Sequence, residues 1–133
     1  MAKGTSERLA GAALREAGLF VYKPPDDARN WKPCDFLTWS YPLSSSPVRL
    51  RGLSRWIEVK SKKDRKTMPA RDIRPSQASG IVEADKLGIP YWLLIRWDIN
   101  EQKIWTCKRM TPFDIGESIP LHDHEWAAMG SLR

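Results

Sequence analysis

The chain has 133 residues, enough for one core and too few for two comfortable ones, and reads as a single domain over 1–133. With 41% hydrophobic and 29% charged residues it is a globular composition rather than a disordered one. Its net charge is +6, and its longest apolar run, 91–95, falls far short of the ~20 residues that span a bilayer.

The opening stretch, MAKGTSERLAGAALREAG, has charges interrupting any apolar segment. It lacks the order of a secretion signal, so a cytoplasmic location is expected, with no membrane partner. Positions 6–18 predict a helix, with Ser6 as N-cap, Gly18 as stop, and Ala10, Ala13, Leu14 and Ala17 forming one apolar stripe. LFVYK (19–23) reads as a short strand, PPDDARNW (24–31) as a loop, and CDFLTWS (34–40) as a second strand. A Ser/Pro connector (41–52) leads to a third strand, RWIEVKS (55–61). Residues 62–74 read as a loop, closed by Pro75 at the first position of a helix ending near Leu87 and Gly88. PYWLLIRW (90–97) is nearly continuous in apolar residues and suits a central strand buried on both faces. A turn at DINEQK, a last strand (104–110) and a short helix near 111–115 complete the order. The expected fold class is α/β: a mixed central sheet flanked by helices.

Two cysteines, Cys34 and Cys107, make neither a disulfide framework nor a zinc spacing. HDHE (122–125) reads as solvated loop, since no zinc-ligand spacing accompanies it. The charge is concentrated. From Lys60 to Arg74 stand seven cations (Lys60, Lys62, Lys63, Arg65, Lys66, Arg71, Arg74) and two acids (Asp64, Asp72). Such a tract is the footprint of a phosphate-backbone binder, or equally a solvated loop.

WIEVKSKK (56–63) places an acid and a base on one strand. Alternation turns Ile57 and Val59 to the core and Glu58 and Lys60 together to the other face, roughly 7 Å apart. Asp35 lies in the neighbouring strand, where an Asp is disfavoured without a reason. Either it is exposed at a strand end, or it converges with Glu58. Converging carboxylates repel, and an oxygen-ligated divalent cation is the natural neutraliser, with the Val59 carbonyl as a further donor. Glu7 lies seven residues before Leu14 on nearly the same side of the first helix; it either complements the helix dipole or serves a site. Gln77 lies four residues before Ile81 and seven before Ala84, either as a capping residue or as part of a site.

KGTSER at 3–8, then CDF, EVK, PSQ and YWLLIRW in order, resemble the PD-(D/E)xK nuclease superfamily, and within it the archaeal-type Holliday junction resolvases. The resemblance covers about residues 3–97. It departs at Pro33-Cys34-Asp35, where the "PD" is not literal, and in the long 41–54 connector. The resemblance implies a restriction-endonuclease-like core and a structure-specific DNA endonuclease acting on four-way junctions. Alternatives are the same fold acting on nicked, flapped or broken DNA, and a DNA-binding module without catalysis. Asp35 and Glu58 would hold Mg²⁺, with Mn²⁺ as a substitute. Val59 and, directly or through water, Glu7 would complete the set. Lys60 would serve the attacking water or the transition state, and Gln77 would position Lys60 or the water. Lys3, Arg8, Lys62, Lys63, Arg65, Lys66, Arg71 and Arg74 would contact DNA. Paired cuts on a junction imply a homodimer. Seven tryptophans offer interface material, with Trp39, Trp97 and Trp126 not assigned to the core.

Overall fold

The computed structural model describes residues 5–16, 19–25, 34–40 and 54–121. Lys3, His122 to Glu125 and Trp126, and the side chain of Trp39, lie outside the described residues. The elements are α1 (Thr5–Glu16), β1 (Leu19–Tyr22), β2 (Phe36–Ser40), β3 (Ser54–Lys63), β4 (Thr67–Met68), a 3-10 turn (Ala70–Asp72), α2 (Pro75–Leu87), β5 (Tyr91–Ile99), β6 (Gln102–Met110), a second 3-10 turn (Pro112–Asp114) and β7 (Ile119–Pro120). Among the described helices none is long and apolar enough to cross a membrane.

Five strands form one mixed sheet in the order β1-β2-β3-β5-β6, and β4 and β7 form a small second one. Among the described strands only β3 and β5 run parallel. Their connection passes through α2, as a parallel pair requires a crossover. This mixed sheet with flanking helices is the fold class read from the sequence.

Two apolar clusters lie on the two faces. Ala10 and Leu14 of α1 cover Leu19, Phe36, Ile57, Val59, Leu94 and Cys107. Gly11 lets α1 approach closely, since a Cβ there would stand 3.3 Å from the Phe36 ring. On the other face Ile81 and Ala84 of α2 cover Trp56, Tyr91, Leu93, Ile95, Trp97 and Met110. α2 starts with Pro75 and ends at Gly88, whose φ of 70° is the left-handed conformation glycine adopts without strain.

Two expectations change. Residues 62–74 are not all loop. β3 continues through Lys63 because β5 runs on to Ile99 and offers Trp97 and Asp98 as partners to Lys62 and Lys63. The chain then turns at Asp64, with φ 55°, before β4 and the first 3-10 turn. Trp97 is fully buried, not a surface residue. Its indole Nε1 donates to Thr106 Oγ1 at 2.7 Å, which satisfies both polar groups inside the core. The face carrying Glu58 is covered by α2, and Glu58 itself is only 6% exposed. The β5–β6 hairpin closes as expected, through Asn100 and Glu101 at φ 51° and 67°. Positive φ at both central residues is the two-residue turn whose twist suits antiparallel strands.

Candidate active site

β2 is short and β3 is long, and that mismatch makes the site. Their last pair is Phe36 with Ile57. Beyond Ile57 the edge of β3 facing β2 has no strand beside it among the described residues. The Trp56 N–H bonds the Pro90 carbonyl on the β5 side, so by alternation Val59 turns its backbone toward β2. There the Asp35 carboxylate takes over: Val59 N–H donates to Asp35 Oδ2 at 2.7 Å. A residue's N–H and C=O leave a strand on the same edge, so the Val59 carbonyl points to the Asp35 side as well. Asp35 is thus a strand-end residue, but a buried one, at 7% exposure.

Glu58 and Lys60 turn toward α2, where Gln77 meets them. Gln77 Nε2 donates to Glu58 Oε1 at 2.6 Å, and Lys60 Nζ donates to Gln77 Oε1 at 2.8 Å. The same Oε1 accepts the Arg74 backbone N–H at 2.9 Å. Gln77 therefore bonds on two sides. It caps the first turn of α2 and bridges the acid and the base of β3. An Asp or Glu at position 77 would accept from Arg74 and Lys60 but could not donate to Glu58.

Two buried carboxylates give this end of the sheet a negative potential. Burial raises the Cys34 thiol, and Glu58 and then Asp35 raise it further. Burial, Glu58 and Asp35 act the same way on the Tyr91 phenol. Lys60 is pushed below the ordinary lysine range by burial. Glu58 opposes that fall, Arg74 adds to it, and Asp35 and Asp72 oppose it more weakly. A lysine so placed gives up its proton more readily than a solvated one.

Glu7 is set apart. It stands in the first turn of α1 and pairs with Lys23 at 3.2 Å. Among the described residues no three histidine, cysteine or acidic side chains form a metal-holding group. Of the basic residues, Arg8, Lys63, Arg65, Lys66, Arg71 and Arg74 are exposed. Lys62 is not: it is mostly buried and forms an ion pair with Asp72. Nothing in the sequence pattern names that partner, although alternation already places Lys62 on the face of Glu58 and Lys60.

No protein-family model and no curated protein sequence matches the chain. A solved structure does. The fold is shared with Hjc of Archaeoglobus fulgidus, a Holliday junction resolvase from an archaeal hyperthermophile. The match has a TM-score of 0.50 at 19% identity and covers 77% of this chain and 72% of that one. At that identity the likeness is one of fold.

Proposed function

We propose that the protein is a metal-dependent, structure-specific DNA endonuclease whose substrate is a four-way junction. The observation that carries this reading is the buried pair Asp35 and Glu58, with Lys60 tied to Glu58 through Gln77. A fold needs no such network for stability; burying acids is costly even when they are hydrogen-bonded. The likeness to Hjc favours DNA, and branched DNA, as the partner.

The donor set fits a hard divalent cation such as Mg²⁺ or Mn²⁺. Asp35, Glu58 and the Val59 carbonyl supply oxygen only, and Glu7 would act through water. Bound there, the ion would lower the pKa of a water and offset charge on the scissile phosphate. The chain's own residues do the rest. Asp35 fixes the β3 edge by accepting from Val59. Lys60, shifted toward its neutral form, takes or holds the proton of the attacking water. Gln77 keeps the Lys60 amino group beside Glu58, so the base is placed before substrate arrives. Arg65, Lys66, Arg71, Arg74, Lys63, Arg8 and Lys3 are the proposed phosphate contacts.

A junction is resolved by two symmetric cuts, so two chains would act together as a C₂ dimer. Burial of Trp97 removes one tryptophan from the surface available to such an interface. The test is cleavage of a labelled four-way junction by purified protein with Mg²⁺, beside linear duplex, nicked and flap controls. Preference for the junction supports the proposal. Equal or greater cleavage of flap or nicked DNA transfers the site to those substrates, and cutting undiminished by EDTA removes the metal. Sedimentation equilibrium on the same preparation tests the dimer, whose absence with and without junction DNA would refute paired cutting by two chains.

A further inference from the structure

By charge and position in the sequence, Lys62 is one more phosphate contact. Its surroundings argue otherwise. Its side chain is 20% exposed and that of Asp72 is 23% exposed, so both are largely withdrawn from solvent. The ammonium pairs with Asp72, the last residue of the 3-10 turn Ala70–Asp72. Two residues further, the Arg74 N–H is held by Gln77, the side chain that also holds Lys60 and Glu58. Lys60 and Lys62 lie on one face of β3, roughly 7 Å apart. A single largely buried carboxylate, Asp72, thus pairs with one of two lysines that share a face of β3.

We infer that Lys62 is a positioning residue: by occupying Asp72 it prevents that carboxylate from drawing Lys60 off Gln77. The inference rests on the nuclease reading of the Glu58, Lys60 and Gln77 network. Lys60 stands one same-face position from Lys62 on β3, about 7 Å away, which keeps it within electrostatic reach of the carboxylate that Lys62 holds. Remove the Lys62 ammonium and Asp72 loses its ion-pair partner in a largely buried setting, and breaking such a pair by removing one member costs more than the pair itself contributes. On the same face of β3, Lys60 is the cation next in line to relieve it. Swinging toward Asp72, Lys60 gives up its bond to Gln77 Oε1, and the base leaves the acid it serves. A phosphate contact would behave differently, because its loss weakens DNA binding and lowers the salt dependence while leaving the base in place.

The discriminating comparison uses Lys62→Ala, Asp72→Asn and the double variant, with two readouts. The first is single-turnover cleavage at saturating DNA, with the salt dependence of binding measured in parallel. Lys62→Ala is expected to slow cleavage on the order of ten- to a hundredfold, as misplacement of a catalytic group does. Its salt slope should stay at the wild-type value. Lys62→Ala with Asp72→Asn should recover most of the lost rate, because a neutral residue 72 no longer recruits Lys60. The second readout is the side-chain amide resonances of Gln77 by ¹⁵N NMR, which need no activity. They should move in Lys62→Ala and return in the double variant. Three results would overturn the inference: an unchanged rate in Lys62→Ala, a salt slope lowered by about one unit, or a double variant as slow as the single one. If wild type cuts no DNA, the nuclease reading fails, while the Gln77 resonances still decide whether Lys62 holds Lys60 in place.

Discussion

The two faces of β3 carry opposite kinds of residue on one stretch of backbone. Ile57 and Val59 turn toward α1 and enter a cluster made only of apolar side chains. Trp56, Glu58, Lys60 and Lys62 turn toward α2, where an apolar layer gives way within three steps to an acid, a base and an ion pair. Both faces are buried, so burial does not separate scaffold from site. Partnership does: the α1 face is satisfied by packing alone, while the α2 face needs each polar atom matched to another. The first face therefore tolerates any filling of the right volume. The second depends on the identity and direction of each group.

Substitutions can break this contrast. The largest effect is expected at Glu58→Ala and Asp35→Ala, each lowering cleavage on the order of a thousandfold or more, about 4 kcal/mol of barrier. DNA binding should be retained or tightened, since a negative charge near phosphate is removed. A gel-shift and cleavage series measures both, and wild-type rates in both variants would place the active site elsewhere. Across the strand, Ile57→Ala should cost roughly 2–5 kcal/mol of stability by urea unfolding. The molecules that remain folded should cut at near wild-type rate, which is the signature of scaffold. Gln77→Ala comes next, with cleavage down roughly ten- to a hundredfold and stability reduced by about 1 kcal/mol as cap and bridge bonds disappear. Gln77→Glu sharpens the point: it keeps the cap but sets one carboxylate against Glu58, so the rate should stay low while the cap is kept. The smallest effect belongs to the exposed cations. Replacing Lys63, Arg65 and Lys66 by Ala should lower the slope of log K against log salt by roughly one unit for each phosphate no longer neutralised. An unchanged slope would make that tract solvated surface.

Much of this protein is set by local pattern. The helical stripe of Ala10 and Leu14, the Pro75 start and Gly88 stop of α2, and the apolar run of β5 appear as elements because period, cap and breaker are properties of neighbouring residues. Alternation likewise gives Glu58, Lys60 and Lys62 a common face. Alternation names a face and not what lies over it. That α2 covers the face, that Gln77 bridges Glu58 to Lys60, and that Asp72 meets Lys62 follow from a parallel crossover joining residues 17 and 19 positions apart in the two Gln77 bonds. The end of β2 at Phe36 decided that Asp35 would meet Val59 as a side chain rather than as one more rung of the ladder. Glu7 shows the same limit: helical spacing placed it beside Leu14, and only the packing of β1 against α1 supplied Lys23 as its partner. Trp97 shows it for the core, since an indole at a strand end is inside or outside according to whether a hydroxyl such as Thr106 waits across the hairpin.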